Sequence, residues 1–450
     1  MPAPHVSPAG AAAPGSPNAP DGRAPSGCPP DAAPLTASAV APVIGYVLLW
    51  FPLSSETFIF REVVQLRELG LDIRVYTMYG AALRGCSREM REYPGPVTRM
   101  GVAAFFRIFA AFFRALGKNP HLVWQLLREG FFRRMRNAEA LGENLWCFMA
   151  GFLLAEDCTR DGVTLIHSSW ANGPATAAWV ASRLTGIPFA FTGRAGDIYP
   201  EDGLLREKSR DALFIRTNNA ANVAWLARFC PPGAEGKVRL VYNSLTFTER
   251  EPGALPMQPP YRLLAVGRFA RTKGFPELIT ALARLRRERV PVRLTLVGDG
   301  AWRGRLVRQI RRLGLAGCID LPGFVPHDEL RRYMQTHDML VVPSVVHSNG
   351  DRDGIPNVIM EALSMGLPVV ATDVCGIAEV IRDGETGLLV PERDPAALAC
   401  AVRRMLADRE RARAMALAGR DLVEAMFDRG RNIAALRDLY AEAAAPEAAP

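Results

Sequence analysis

The stretch over residues 338–390 constrains the fold of this 450-residue chain more than any other. Short apolar runs at 338–342 and 369–371 alternate with a helical segment over 357–364, and glycine and proline mark the boundaries. Pro356 suits the first turn of that helix, where its missing N–H is no loss. Alternation of this kind is typical of a doubly wound parallel sheet. The sequence therefore predicts an α/β fold.

The same alternation continues through most of the chain, which is long enough to bury two cores. Further strands are predicted at 43–50, 163–167, 188–192, 212–217, 238–242, 261–267, 292–297 and 319–321. Residues 246–260 separate the two sets of strands. They are rich in proline and lack periodicity, which indicates a linker. We therefore predict one domain over 41–245 and a second over 261–425.

The composition is that of a soluble globular protein, with 49% hydrophobic and 22% charged residues. Residues 1–40 are mostly Pro, Ala, Gly and Ser without an apolar run, which predicts a disordered tail rather than a secretory signal; residues 441–450 are predicted to form a second, short tail. No stretch reaches the roughly 18 uninterrupted apolar residues of a membrane-spanning helix. The eight cysteines are scattered without a CxxC pair, which argues against a zinc site and for a reducing compartment. We therefore expect a cytoplasmic protein.

Two carboxylates of the 338–390 stretch are candidates for a binding site. Asp353 lies in the loop before the predicted helix and Glu361 about one turn into it, so both can face the mouth at the carboxyl end of a strand. The helix N-terminus there supplies free N–H groups and partial positive charge, which suit a phosphate. Carboxylates suit sugar hydroxyls better, so the combination suggests a nucleotide-sugar. Taken alone, such a pair is also compatible with a solvated helix surface.

This region resembles the acid-x7-acid signature of retaining glycosyltransferases of family 4, written here as Asp353-Gly-Ile-Pro-Asn-Val-Ile-Met-Glu361. The resemblance implies the GT-B fold, in which two Rossmann-like domains face each other across a cleft and a terminal helix, here 426–440, returns to the first domain. It implies that Asp353, where the family usually has Glu, contacts the transferred sugar and that Glu361 binds the nucleotide ribose. Other residues implied on the donor side are Gly354, Ile355, Pro356 and Asn357, together with Gly323, Phe324 and Val325, where relatives read the nucleobase through the backbone.

The loop after the predicted strand at 261–267 resembles the basic loop of the same family and reads Gly267-Arg-Phe-Ala-Arg-Thr-Lys-Gly274. In the family, the Arg and Lys of this loop bind the donor diphosphate, which implies that catalytic role for Arg268 and Lys273. A departing nucleoside diphosphate accumulates negative charge, and fixed cations stabilise that charge without reorganisation. Because these cations can take the place of a magnesium ion, we expect no metal and no other cofactor.

Shorter resemblances imply an acceptor or sugar side in the first domain. Ser55 lies in the turn Phe51-Pro-Leu-Ser-Ser-Glu-Thr-Phe58, which is similar to a loop of exopolysaccharide-type members. Capping of the next helix by a serine, with Glu56 in the first turn, explains the same residues. His167 matches the first His of a His-x-His-aromatic pattern whose second position is Ser169, and a lone His at a strand end is also a common structural residue.

Three more residues are implied on that side. Arg194 and Asp197 lie in a loop similar to Thr-x-His-x-x-Asp-Ile-Tyr, with Arg194 in place of the His. The fixed charge of an arginine suits an anionic group on donor or acceptor, and the alternative is that Arg194 simply pairs with Asp197. Asn243 matches the Asn of the family's Asn-Gly, with Ser244 in place of the Gly.

The stretch over about 99–136 is predicted to be a helical insertion with paired aromatic residues. It carries eight Arg or Lys residues against one acid, Glu129. A helix with an aromatic and a basic face suits the surface of an anionic membrane. An ordinary helix with its aromatic residues in the core and its arginines in water fits the pattern equally well.

The residues and the resemblance together predict a retaining, metal-independent glycosyltransferase. It would move a sugar from a nucleotide-sugar donor to a glycan or lipid-linked acceptor in extracellular or cell-surface polysaccharide synthesis, in the cytoplasm or peripherally on the inner face of the plasma membrane. We expect no nucleic-acid partner. Two alternatives stay open at this point: a catalytically weak sugar-nucleotide-binding subunit of a polysaccharide assembly complex, and a nucleotide-sugar epimerase of the same architecture.

Overall fold

The computed structural model describes residues 42–83, 85–131, 141–200, 202–245 and 257–444. The predicted tail at 1–40 lies outside these residues, as do most of the predicted linker and the end of the second tail. Part of the aromatic and basic stretch, residues 132–140, also lies outside them.

The first half of the described chain builds a seven-stranded sheet in the order β3-β2-β1-β4-β5-β6-β7, with all neighbouring strands parallel. Its strands are β1 (Val43–Leu53), β2 (Asp72–Ala82), β3 (Val97–Arg99), β4 (Leu165–Ser168), β5 (Phe189–Gly193), β6 (Ile215–Thr217) and β7 (Val238–Leu240). Its helices are α1 (Thr57–Glu68), α2 (Arg88–Arg91), α3 (Phe105–Lys118), α4 (Pro120–Leu126), α5 (Leu141–Arg160), α6 (Gly173–Thr185), α7 (Leu205–Asp211) and α8 (Ala220–Ala227).

The second half builds a six-stranded parallel sheet from the described residues, in the order β10-β9-β8-β11-β12-β13. Its strands are β8 (Tyr261–Val266), β9 (Val292–Val297), β10 (Ile319–Gly323), β11 (Met339–Val342), β12 (Val369–Thr372) and β13 (Leu388–Val390). The helices that follow are α9 (Phe275–Arg287), α10 (Arg303–Arg312), α11 (His327–Thr336), α12 (Asn357–Ser364), α13 (Ile377–Val380), α14 (Pro395–Ala407), α15 (Arg409–Met426) and α16 (Arg429–Ala444).

The predicted α/β class and two-sheet architecture are confirmed by these two sheets. Both sheets reverse their strand order once, between β1 and β4 and between β8 and β11. In open α/β sheets, ligands bind outside the carboxyl ends of the strands at such a reversal. The topology therefore predicts a ligand-binding site among the loops that follow these four strands.

Local sequence explains why the elements begin where they do. Helix α12 has the bounds predicted for it, and Pro356 precedes its first residue. Asp394 caps α14 by accepting hydrogen bonds from the backbone N–H groups of Ala396 and Ala397, each at 2.9 Å. Two long elements, strand β2 and helix α5, were not predicted from the pattern. Helix α5 is apolar on most of its surface and packs against α3 and α6.

The last helix, α16, packs on the first half although it follows the second half in the chain. Ile433, Leu436 and Tyr440 lie in one buried cluster with Ile44 and Tyr46 of β1. Tyr440 is completely buried. Helix α16 therefore completes a hydrophobic core of the first half.

Helix α3 turns a narrow apolar face inward and several of its phenylalanines outward. Ile108 and Ala111 are buried against the first core. Phe106 is 84% exposed and Phe113 is 62% exposed, and Trp124 of α4 is 63% exposed. The interpretation that places all these aromatics in the core is therefore wrong for the exposed rings. Among the described helices, none is long and apolar enough to cross a membrane.

Candidate functional site

A cleft of about 530 Å³ opens between the carboxyl ends of the two sheets. Loops after β1, β4, β5, β6 and β7 form one wall, and loops after β8 and β11 form the other. The cleft is lined on the first wall by Ser55, Glu56, Phe58, Trp170, Arg194, Asp197 and Asn243, among others, and on the second by Arg268, Thr272, Lys273, Asp351, Arg352, Asp353, Gly354, Ile355, Pro356 and Asn357. The structure thus brings together most of the site residues predicted from the sequence.

The basic loop after β8 contacts the aspartates of the loop after β11. Lys273 Nζ donates to Asp353 Oδ1 at 2.8 Å, and Ser344 Oγ donates to Asp353 Oδ2 at 2.5 Å. Arg271 Nε lies 3.7 Å from Asp351 Oδ2. The two residue types that were assigned separate roles, a cation for phosphate and a carboxylate for sugar, are therefore direct neighbours.

The backbone of this loop is shaped by two glycines. Gly274 has φ of +60°, and a Cβ placed there would lie 1.7 Å from the carbonyl oxygen of Pro343. Gly298, at the end of β9, has φ of +138°, and its Cβ would lie 2.0 Å from the carbonyl oxygen of Gly267. Side chains at either position would push the basic loop away from the sheet.

Asp351 and Asp353 form an Asp-Arg-Asp run that invites comparison with a metal site. Burial raises the pKa of Asp351, Arg271 lowers it, and the nearby Asp353 raises it again. Within the described ranges, no group of three or more His, Cys, Asp or Glu side chains is arranged to hold a metal ion. Asp351 and Asp353 form ion pairs with Arg271 and Lys273, respectively.

Arg194 is buried in the first wall, with 5% of its surface exposed. Its Nη1 donates to Asn243 Oδ1 at 2.9 Å, and its guanidinium carbon lies 4.5 Å from the centre of the Phe58 ring. Burial lowers the pKa of Arg194. The guanidinium is therefore fixed in one orientation at the cleft.

Asp197 does not form the side-chain ion pair with Arg194 that one interpretation of the sequence expects. Its two carboxylate oxygens accept backbone hydrogen bonds instead, from Arg194 N at 2.9 Å and from Ala171 N at 2.7 Å. Burial raises the pKa of Asp197, and these backbone bonds lower it. Asp197 thus ties the loops after β4 and β5 together.

His167 lies in the core and not at the cleft, which corrects its predicted place beside the sugar. It is completely buried and packs against the rings of Tyr46, Phe214 and Tyr440. Its Nε2 lies 3.0 Å from the Thr192 hydroxyl. Burial lowers the pKa of His167 to about 3, so the ring is neutral at physiological pH. The structural interpretation of this histidine is the one that the fold supports.

Glu56 is a cleft residue that sequence reasoning treated only as part of a helix cap. Its side chain makes no capping hydrogen bond to α1. The side chain lines the cleft instead, and burial raises its pKa to about 7. The signal available in the sequence was the acid itself, one position after Ser55 in the turn that follows β1.

The other donor-side predictions divide into two groups. Gly354–Asn357 line the cleft at the start of α12. Glu361, one turn further along α12, and 323–325, at the end of β10, are not among the residues that line it. The Phe324 ring is 53% exposed, and its Cε1 would lie 3.0 Å from a Cβ built on Gly85 of the first half.

Contacts beside the cleft join its two walls. Glu379 accepts from Ala220 N at 2.9 Å, at the N-terminus of α8, and from the Tyr242 hydroxyl at 2.8 Å. The Arg352 guanidinium lies 4.0 Å from the centre of the Tyr199 ring. None of these contacts was predicted, because each joins segments more than a hundred residues apart.

Residues 260–408 match the family described as glycosyl transferases group 1, and this match covers the basic loop and the acid-x7-acid run. These residues therefore carry a glycosyl transferases group 1 domain, and the two sheets share the GT-B fold of the solved structures below.

Relatives cover more of the chain than the family match does. Over 384 residues it is 28% identical to a putative colanic acid biosynthesis glycosyltransferase, WcaL of Salmonella typhimurium, with 79% of this chain and 88% of the relative aligned. It is 34% identical to the amylovoran biosynthesis glycosyltransferase AmsK of Erwinia amylovora, over 38% of this chain and 42% of that one.

Two solved structures share the fold. Anabaena HepE, crystallised with UDP and glucose, aligns with a TM-score of 0.65 at 17% identity, over 88% of this chain and 99% of its own. Sucrose-phosphate synthase of Thermosynechococcus elongatus aligns with a TM-score of 0.67 at 22% identity, over 90% of this chain and 99% of its own.

Proposed function

We propose that the chain transfers a sugar from a nucleotide-sugar to a glycan or lipid-linked acceptor, with retention of configuration, in the synthesis of an extracellular or cell-surface polysaccharide. The observation that supports this most is the arrangement of the second wall. Arg268, Lys273 and Asp353 meet the N-terminus of α12 at the carboxyl ends of β8 and β11. The relatives named for colanic acid and amylovoran support the polysaccharide product.

The donor binds to the second wall in this proposal. Its diphosphate meets Arg268 and Lys273, and the N–H groups at the start of α12 add partial positive charge. Lys273 turns from Asp353 toward the phosphate as charge develops there, which leaves Asp353 able to accept a hydrogen bond from a sugar hydroxyl. The nucleotide in the HepE structure, UDP, is the first nucleotide to test.

The transfer step is proposed to take place on one face of the sugar. The acceptor oxygen bonds to the anomeric carbon as the bond from that carbon to the phosphate oxygen breaks, and the electron pair stays on the phosphate. The leaving phosphate, held by Arg268 and Lys273, takes the proton of the acceptor hydroxyl. Asp353 is proposed to orient the sugar and not to form a covalent intermediate, because the Ser344 hydroxyl keeps one of its oxygens and a sugar hydroxyl replaces Lys273 on the other.

We propose that no metal ion is needed. Asp351 and Asp353 are the carboxylates of the second wall that could bind a metal at the diphosphate, and each contacts a cation already. Displacing Lys273 would take from the donor phosphates one of the two cations, Arg268 and Lys273, that the family resemblance assigns to them.

The first experiment is to incubate the purified protein with a panel of UDP-, GDP- and ADP-sugars and to follow hydrolysis and thermal shift. The proposal expects slow hydrolysis of one donor in the absence of an acceptor, lost in Lys273→Met. Lys118→Met changes an exposed lysine of α3 that lies outside the cleft, and this matched control should keep the activity. Tight binding of a donor without turnover would favour the sugar-nucleotide-binding subunit, and interconversion of two sugars would favour the epimerase.

We also propose that the enzyme works at the cytoplasmic face of a membrane through the outer surface of α3. Phe106 and Phe113 are 84% and 62% exposed, and large exposed aromatic rings suit the interface region of a bilayer. The described cations of α3 contribute less than the sequence suggests. Arg114 pairs with Glu156 at 2.7 Å and Arg107 lies 3.8 Å from Asp157. Insertion of the aromatic side chains is therefore the main contribution to membrane binding in this proposal.

Vesicle co-sedimentation tests the membrane proposal. Binding to phosphatidylglycerol vesicles should fall in the variant Phe106→Ser with Phe113→Ser, while its thermal unfolding stays near that of the wild type. The matched control is Leu213→Ser with Leu240→Ser, which removes exposed apolar side chains outside α3. Equal sedimentation of wild type and the aromatic variant, or a wild type that ignores phosphatidylglycerol, would contradict the proposal.

A further inference from the structure

Glu56 differs from the other carboxyl groups of the cleft in its partners. Asp197 is held by two backbone amides, and the two aspartates of the second wall contact Arg271 and Lys273. In the described part of the chain, Glu56 makes neither a cap nor a direct ion pair, and its hydrogen-bond partner is the side chain of Trp170. Its carboxyl group is therefore available to a ligand in the cleft.

The surroundings of Glu56 suit a sugar. The aromatic side chains of Phe58 and Trp170 line the cleft on the same wall, and their ring centres lie 6.3 Å apart. A carbohydrate presents apolar C–H faces and hydroxyl groups, and sites for such ligands combine aromatic surface with a few placed polar groups. A carboxylate accepts hydrogen bonds from hydroxyls more strongly than a neutral group does.

Charges from both walls face Glu56. Burial is the largest effect and raises its pKa to about 7, while Arg194, the Trp170 side chain and Arg268 lower it and Asp197 raises it. Arg268 belongs to the opposite wall, so Glu56 lies within electrostatic reach of the loop that is proposed to bind the donor diphosphate. A ligand on Glu56 would therefore lie next to the leaving group.

We propose that Glu56 binds a hydroxyl group of the acceptor sugar and positions the acceptor beside the donor diphosphate. This inference rests on the proposed transferase function and adds to it a residue that selects the acceptor. Arg194 Nη1 donates to Asn243 Oδ1 at 2.9 Å, so these two side chains form the wall behind the acceptor. Glu56 accepts the hydrogen bond from the acceptor hydroxyl.

The test measures transfer to octyl glucoside, octyl galactoside or octyl mannoside, with the donor that the wild type hydrolyses. In Glu56→Gln we expect kcat/KM for the octyl glycoside to fall about 10- to 100-fold, the range for one hydrogen bond to a charged group. The affinity for the nucleoside diphosphate of that donor, measured by calorimetry, should stay within a factor of about two. Glu89→Gln makes the same chemical change on an exposed carboxylate of α2 away from the cleft, and should leave both values unchanged.

The pH dependence separates positioning from a merely structural role. The wild-type kcat/KM for the octyl glycoside should fall as the pH decreases through about 7, because protonation removes the carboxylate. That acidic fall should be absent in Glu56→Gln. A variant that retains the wild-type rate, or the same acidic fall, overturns the assignment of Glu56. Failure of the wild type to turn over any donor overturns the transferase function, and this inference with it.

Discussion

Removing the charge of Lys273 tests the chemistry of the cleft most directly. Methionine keeps most of the apolar stem and deletes the ammonium group, which lies 2.8 Å from Asp353 Oδ1. The side chains of the pair are 21% and 16% exposed, so water screens the interaction only in part. After the change, Asp353 keeps the Ser344 hydroxyl as a partner and stays as a partly buried anion where the donor phosphates are proposed to bind.

Two effects therefore act in the same direction. The developing phosphate charge loses one of the two cations proposed to stabilise it, which costs roughly 2.7 to 4 kcal/mol in transition-state stabilisation, or about 100- to 1,000-fold in kcat/KM. The unpaired carboxylate also repels the donor, which raises KM. Initial rates of donor turnover over a range of donor concentrations measure both parameters.

A double-mutant cycle with Asp353→Asn separates the two roles of Lys273. If Lys273 only neutralises Asp353, the double variant turns over the donor as fast as Asp353→Asn alone. If it stabilises the leaving phosphate, the double variant is slower by most of the single effect. Thermal unfolding controls for lost structure, since breaking a partly buried pair destabilises the fold. A folded Lys273→Met variant with kcat/KM within threefold of the wild type would refute the reasoning.

Three further outcomes are expected. Glu361→Ala should weaken binding of the donor nucleotide about tenfold or more in calorimetry with little change in kcat, because the ribose contact predicted for Glu361 would act in the ground and transition states alike; a reduced kcat at unchanged affinity would contradict this. EDTA should leave donor turnover unchanged, whereas loss of activity that Mn²⁺ or Mg²⁺ restores would show that Asp351 and Asp353 bind a metal. His167→Phe should lower the free energy of unfolding by about 1 to 3 kcal/mol in urea titration, because the buried Thr192 hydroxyl loses its partner, while turnover per folded molecule stays the same. Lost turnover in a stable His167→Phe protein would show instead that His167 contributes to the active site.

The elements that could be predicted from the sequence are those whose signals are local. Helix α12 begins and ends at the predicted residues because Pro356 and Gly366 lie beside it. The cleft loops were predictable for the same reason, since each follows a short apolar strand and precedes a helix. That Lys273 and Asp353 form one ion pair could not be predicted, because 80 residues separate them in the chain.

The environments of Glu56 and His167 depend on segments that are distant in sequence. Tyr440, which covers His167, belongs to the last helix, and the arginine that faces Glu56 from the opposite wall belongs to the other sheet. A carboxylate or an imidazole after a strand has the same local pattern whether it enters a core or a cleft. For α3 the periodicity showed an aromatic face and a basic face, but only the packing of Ile108 and Ala111 shows which side is inward.

Two described segments that belong to different halves of the chain lie side by side next to the cleft. Leu245 N, after β7, donates to Phe427 O at 3.0 Å, and Asn432 Nδ2 of α16 donates to Asn243 O at 3.3 Å. We expect this contact to favour rotation about one axis over sliding of one sheet past the other. Asn243 lies beside the contact and also in the cleft wall, so such a rotation would move the outer loops further than the wall near Asn243. We therefore expect the width of the cleft to change through one angle, without repacking either core.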